Sequence, residues 1–136
     1  MITWNNLDKL TSYQELEKTE SVDLAAVMAG ENGAERVKNY SVPMAEGLAY
    51  NYAAKKVDDT VLAALEKLAE EAQLTEKFEA LYNGEVVNTG EKRLVLHHMT
   101  RGQLGDAVEA DGVDKRTFYV EQQKKIAEFA NKVHAG

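Results

Sequence analysis

The chain has 136 residues, a length that suits one domain with a substantial core. Its formal net charge of -7 disfavours binding to nucleic acid and to anionic membrane surfaces, because both are negatively charged. The absence of cysteine excludes disulfides, cysteine-ligated zinc and thiol catalysis. No apolar run reaches the length of a membrane span, and the N-terminus lacks the pattern of a signal peptide. We therefore expect a cytoplasmic protein that binds neither nucleic acid nor membrane.

Residues 7–54 predict two helices, one or two further helical turns within residues 33–40, and then a strand. A first helix is expected within residues 7–18 and a second within residues 21–30, where Ser21 or Asp23 caps the start and Gly30 ends it. Large and small side chains alternate over residues 48–54, which predicts a short strand.

The middle of the chain contains the clearest helical pattern. Asp58 or Asp59 is expected to cap a helix whose apolar residues recur at helical spacing up to Ala72. A shorter helix follows and is expected to bury three side chains, Phe78, Leu81 and Tyr82. Gly84 then suits the left-handed position that ends such a helix.

The C-terminal segment predicts a turn and a long helix. Asp111-Gly112 predicts a turn or small hairpin within residues 108–114. A helix is expected from about Thr117 to Ala135, with an apolar stripe formed by Ile126, Phe129, Ala130 and Val133. With one proline in the whole chain, the predicted fold is mainly α with one or two short β-strands, in one segment spanning residues 1–136.

Residues 84–101, GEVVNTGEKRLVLHHMTR, place acidic, basic and imidazole side chains around an apolar centre: Glu85, Glu91, Lys92, Arg93, His97, His98 and Arg101. A helix starting near Glu91, capped by Asn88 or Thr89, would align Arg93, His97 and Arg101 on one face. That face predicts either a cationic strip that holds a phosphate or carboxylate, or a solvated surface paired with Glu91.

The histidines and carboxylates of the chain point to no catalytic or metal site. His98 would lie on the apolar side of the predicted helix, where a hydrogen-bonded core histidine is commoner than a ligand. Adjacent His97 and His98 point about 100° apart on a helix and are poorly placed to bind one metal ion. Paired carboxylates such as Asp58 and Asp59 fall at helix starts or exposed faces, so capping and solvation account for them.

The residue pattern of the same segment resembles that of the glucose-6-phosphate isomerase (phosphoglucose isomerase) family. The family pattern is roughly G-E-x-I-N-x-T-E-x-R-A-V-L-H-x-A-L-R. The residues that match its most informative positions are Gly84, Glu85, Asn88, Glu91, Arg93, His97 and Arg101. Departures fall at Gly90, Leu94, Met99 and Thr100, and again in the GQLGDA stretch that follows Arg101. The similarity covers nearly the whole chain and is strongest over residues 48–101.

The resemblance implies the N-terminal helical portion of a larger α/β sugar-isomerase fold. The family interconverts glucose 6-phosphate and fructose 6-phosphate through a cis-enediol, without a metal or redox cofactor, as a homodimer. The resemblance implies that the family's catalytic glutamate, arginine, histidine and lysine lie beyond the equivalent of Gly136. We therefore assign no catalytic, cofactor-binding or metal-binding residue in this chain. The chain is then a structural portion, inactive alone, whose main partner is the remainder of the isomerase, and the seven motif residues are structural.

Two alternatives remain open from the sequence. The segment could be a free-standing helical module that binds another protein through an apolar patch. It could also be a small sugar-phosphate-binding domain that uses Arg93, His97 and Arg101.

Overall fold

The computed structural model describes residues 1–102 and 105–136, so Gln103 and Leu104 of the GQLGDA stretch lie outside the described residues. The α-helices are α1 (Thr11–Leu16), α2 (Leu24–Met28), α3 (Gly30–Asn39), α4 (Asp59–Glu71), α5 (Leu74–Tyr82) and α6 (Lys115–Ala135). Short 3₁₀ helices cover Leu7–Lys9 and His97–Thr100. The strands are β1 (Ser41–Pro43), β2 (Ala49–Asn51), β3 (Glu109–Ala110) and β4 (Val113–Asp114). The prediction of a mainly α chain is confirmed.

The described chain forms two compact units. One consists of residues 5–72 and the other of residues 1–4 together with residues 73–136. Within the first unit, α1 packs on α4, and β1 pairs antiparallel with β2 through Val42 opposite Tyr50. The second unit contains α5, the β3–β4 hairpin and α6. In neither unit are the buried apolar residues numerous; across both they are Leu10, Val22, Ala53, Ala72, Ala80, Met99 and Val108.

Aspartate side chains cap the starts of α2, α4 and α6. The carboxylate of Asp23 accepts from the Ala26 amide at α2, and that of Asp58 accepts from the Val61 amide at α4. Asp114 accepts from the amides of Arg116 and Thr117 at the start of α6. This helix begins at Lys115, two residues before the predicted start at Thr117. The strand prediction over residues 48–54 is confirmed for Ala49–Asn51, but its partner β1 was not anticipated.

Three expectations are wrong in detail. Gly30 does not simply end a helix: at φ +64° it starts α3 directly after α2. The first predicted helix is divided, because a 3₁₀ turn ends at Lys9 before α1 begins at Thr11. Phe78 lies on the outer face of α5 and is 62% exposed rather than buried.

Arg36 organises the first unit. It is buried on α3, and its guanidinium donates from Nε to the carbonyl of Ala53 at 2.9 Å. Its Nη2 donates to the carbonyls of Lys55 at 3.0 Å and Val57 at 2.6 Å. The same group lies 4.1 Å above the ring of Tyr40, one turn along α3. One side chain thereby fixes the loop that joins β2 to α4.

Glu71 caps α1 from a distant point in the sequence. Leu10 occupies the N-cap position of α1 and has no side-chain acceptor, so the first amides of the helix need a partner from elsewhere. The carboxylate of Glu71 accepts from the amides of Thr11 at 3.2 Å and Ser12 at 2.7 Å, and from the Ser12 hydroxyl. The Ser12 hydroxyl and then its amide hold the pKa of Glu71 below its ordinary value of 4.5.

The Glu71 interaction predicts a pH dependence of stability. Because the pKa of Glu71 is lower in the folded chain, its contribution is complete above about pH 4.5 and is lost as the pH falls through the folded value. We expect Glu71→Gln to lose less stability than the parent chain between pH 6 and pH 3, measured as urea midpoints. Glu70→Gln, one residue earlier on α4, is the matched control and should retain the parent's pH dependence. Equal pH dependence in all three proteins would contradict this role for Glu71.

Candidate functional site

Gly84 joins α5 to the segment with the family-like pattern, and the structure requires glycine there for two reasons. Its φ is +75°, the left-handed conformation that ends a helix, and the Glu85 amide donates back to the Ala80 carbonyl at 2.9 Å. A Cβ at Gly84 would also lie 2.2 Å from Cγ1 of the buried Val108. The prediction that Gly84 ends the helix is confirmed, and the glycine also makes room for the hairpin.

Asp114 holds Val108 in that position. Its carboxylate accepts from the Val108 amide at 3.3 Å and from the Thr117 hydroxyl at 2.5 Å, besides capping α6. The Thr117 hydroxyl is the main reason that the pKa of Asp114 is lower than the usual 3.8. Asp111 and Gly112, both with positive φ, form the tight turn of the predicted hairpin.

Residues 88–93 form a turn, so the helix predicted to begin near Glu91 is absent. Asn88 does accept from the Glu91 amide at 3.2 Å, as a cap would. However, Asn88 and Arg93 then exchange backbone hydrogen bonds at 3.3 and 3.2 Å, with Lys92 at φ +52°. The Asn88 side chain therefore stabilises a reversal of the chain instead of a helix. Arg93 pairs weakly with Glu91, with Nε and Oε2 3.9 Å apart, and both side chains are exposed.

Because that helix is absent, Arg93, His97 and Arg101 do not form the predicted strip along one helix face. His97 lies in the 3₁₀ helix His97–Thr100, and Arg101 follows it. His97 and Arg101 line one cleft of about 640 Å³, together with Tyr82, His98, Thr100 and Gly102. Arg93 is not among the residues that line this cleft. The structure brings His97 and Arg101 together, whereas Arg93 belongs to the turn.

His98 forms the inner wall of the cleft. Its ring stacks on Tyr82 with centroids 4.9 Å apart, and Nε2 is 3.2 Å from the Tyr82 carbonyl. A carbonyl only accepts, so Nε2 is the protonated nitrogen, and the buried Nδ1 has no partner in the described chain. His98 is hydrogen-bonded as expected, but it is half-buried at the wall of the cleft and does not belong to the core.

Arg116 was missed by the sequence reasoning, although it binds the same carbonyl. It is buried, and its Nη2 donates to Tyr82 O at 2.9 Å while its Nε donates to Asp106 O at 2.5 Å. Its guanidinium carbon lies 5.2 Å from the centre of the Tyr82 ring. An arginine in the first turn of a helix opposes the helix dipole, and that position is a signal of a role elsewhere.

The chemistry available in this cleft is limited. Arg101 and the two imidazoles can attract an anion, but none of the described residues that line the cleft has a carboxylate to accept a proton from a carbon atom. No group of three or more histidine, aspartate or glutamate side chains suited to a metal ion occurs in residues 1–102 and 105–136. Among the helices in those ranges, none combines the length and hydropathy required of a membrane-spanning segment.

Comparison with known proteins decides the family. The family model for phosphoglucose isomerase matches residues 51–136, which include the turn, the cleft and α6. The chain belongs to the phosphoglucose isomerase family. It is 51% identical over 138 residues to the glucose-6-phosphate isomerase of Treponema denticola, a match that covers 98% of this chain and 26% of that protein. It is 37% identical to the Borreliella afzelii enzyme, over 100% of this chain and 25% of that protein.

A solved structure agrees with the family and the fold. The crystal structure of a glucose-6-phosphate isomerase from Chlamydia trachomatis matches with a TM-score of 0.70 at 30% identity, over 92% of this chain and 25% of that one. The chain thus spans about a quarter of the length of the curated relatives it matches. It corresponds to an N-terminal portion of a phosphoglucose isomerase, as the resemblance implied.

Gly84→Ala tests the junction between α5 and the hairpin. It adds left-handed strain and a clash with Val108, so we expect it to lower the free energy of unfolding by about 2–4 kcal/mol. Gly112→Ala is the control, because its φ is also positive at +72° but a Cβ there would meet nothing within 4 Å. We expect that control to cost only about 1 kcal/mol in urea denaturation. Equal losses would show that the contact with Val108 is unimportant.

Proposed function

We propose that the chain is the structural N-terminal portion of a cytoplasmic, homodimeric glucose-6-phosphate isomerase. The observation that carries the proposal is a sequence match: nearly the whole of this chain aligns with glucose-6-phosphate isomerases that are about four times longer. The complete protein would interconvert glucose 6-phosphate and fructose 6-phosphate by moving a proton between two carbons through a cis-enediol. The remainder of the isomerase polypeptide would supply the catalytic groups.

The geometry of the motif supports a structural role for its residues. Gly84 and the Glu85 amide end α5, and the Asn88 side chain binds Glu91 in the turn to Arg93. These contacts stabilise the local backbone. His97 and Arg101 remain as groups that could contact the remainder of the isomerase. No metal or redox cofactor is needed for the proposed reaction, since proton transfer suffices.

A chimera tests the proposal. The region of the Treponema denticola enzyme that aligns with this chain is replaced by residues 1–136, and conversion of fructose 6-phosphate is followed with a coupled dehydrogenase. Sequence identity of 51% predicts a compatible interface. We expect turnover within about tenfold of the parent enzyme, which corresponds to about 1.4 kcal/mol in activation free energy.

Two controls define the role of the chain in that assay. Residues 1–136 alone should give no turnover above the blank, because the catalytic groups are expected in the remainder. The Treponema denticola remainder alone should be inactive or rapidly inactivated. An inactive but folded chimera, or turnover by the purified chain alone, would contradict the proposed function.

A further inference from the structure

The C-terminal half of α6 is uncovered. The last side-chain hydrogen bond that ties α6 to the rest of its unit is from Gln123 Nε2 to the Thr100 carbonyl, at 2.6 Å. Beyond it, every side chain is exposed except the half-buried Ala130. Within the described ranges, residues 124–135 make no recorded side-chain hydrogen bond, ion pair or ring contact. Polar side-chain contacts therefore do not hold this part of the helix against its unit.

The uncovered half nevertheless has the pattern of a helix made for burial. Ile126, Phe129, Ala130 and Val133 fall at i, i+3, i+4 and i+7 and form one face, named here the α6 stripe. Ile126 is 67% exposed, Phe129 is 71% exposed and Val133 is 63% exposed. A helix of about a dozen residues is marginal in water unless an apolar face is packed. Three large side chains in one row therefore indicate a surface that another element covers.

The charges beside the stripe favour one kind of partner. Lys124, Lys125 and Lys132 stand in this half of the helix against a single acid, Glu128. Two copies of the helix packed stripe to stripe would bring lysines close to lysines, which is unfavourable. An apolar surface rimmed by carboxylates would complement the stripe better.

The α6 stripe lies in the part of the chain that matches the phosphoglucose isomerase family model. The phosphoglucose isomerase model extends to residue 136 and includes all of α6. About three quarters of the length of the relatives lies outside the region that this chain matches. A polypeptide long enough to cover the helix is therefore part of each relative.

We propose that the α6 stripe is the docking surface for the remainder of the isomerase polypeptide. This inference rests on the proposed function. It assigns the contact with the remainder of the isomerase polypeptide to one face of α6. The occupant is an apolar patch with an acidic rim on the portion of the enzyme outside residues 1–136. Docking would convert an isolated helix end into an interior element.

The test compares two glutamate substitutions in two settings. Phe129→Glu places a charge at the centre of the stripe, and Asn131→Glu adds the same charge about 200° around the helix. Both are made in the active chimera and in residues 1–136 alone. The readouts are the rate of thermal inactivation for the chimera, and urea unfolding and sedimentation for the isolated chain.

We expect Phe129→Glu to speed inactivation of the chimera by at least about tenfold relative to Asn131→Glu, because it charges a packed interface. In the isolated chain the two variants should unfold alike, because Phe129 is already exposed there. Equal inactivation of both chimeras would overturn the docking surface while leaving the proposed function standing. Destabilisation of the isolated chain by Phe129→Glu but not by Asn131→Glu would also overturn it, by showing that Phe129 already acts within the helix and its own unit.

Two further outcomes complete the test. If the isolated chain forms dimers that Phe129→Glu abolishes while the chimera is unaffected, the stripe is covered by a second copy and the inference is wrong. If the unsubstituted chimera is folded but inactive, the proposed function fails, and this inference fails with it. The two failures are distinguished by the activity of the unsubstituted chimera.

Discussion

The structure depends on buried arginines that bind backbone carbonyls. Arg36 binds three carbonyls of the loop after β2, and Arg116 binds Tyr82 O and Asp106 O. Both lie over a tyrosine ring, and neither belongs to an ion pair recorded in the described chain. A guanidinium offers several donors in a fixed plane, so one side chain can fix several loop carbonyls that lack secondary structure. Each unit contains one such centre.

This arrangement matters because the apolar core is thin. Of the seven apolar residues that are buried within residues 1–102 and 105–136, three are alanines, and large side chains such as Leu74, Phe78 and Ile126 are exposed. Apolar burial alone would hold loops such as residues 52–58 poorly, whereas charged hydrogen bonds hold them in defined positions. The exposed apolar side chains agree with a chain that corresponds to about a quarter of its relatives' length. The proposed docking of α6 accounts in the same way for the exposed apolar side chains of its C-terminal half.

Local chemistry made much of the fold predictable. Asp58 caps a helix, Gly84 ends one and Asp111-Gly112 turns a hairpin, because each acts on backbone within a few residues. The helix prediction over residues 91–101 failed because two local signals competed. Asn88 was one of two predicted caps, and it does accept from the Glu91 amide. The same bond also suits a turn, and the backbone pairing of Asn88 with Arg93 decided in favour of the turn.

The tertiary contacts could not be predicted from the sequence, because they join residues that lie far apart along the chain. Glu71 caps α1 from about sixty residues away, and the carbonyl partners of Arg36 lie 17 to 21 residues along the chain. Weak signals did exist: an apolar N-cap at Leu10, a tyrosine four residues after Arg36, and a cation at the start of α6. The grouping of His97 with Arg101 but not Arg93 depended on the turn, so the candidate site was only half predictable.

The measurement that tests the central claim most directly is urea denaturation of Arg36→Met, followed by far-ultraviolet circular dichroism. Methionine retains the apolar stem but leaves the carbonyls of Ala53, Lys55 and Val57 without their donors. We expect the free energy of unfolding to fall by at least about 2 kcal/mol. Lys38→Met, at an exposed position on the same helix, should change it by less than about 0.5 kcal/mol. Equal and small effects of both substitutions would contradict the account.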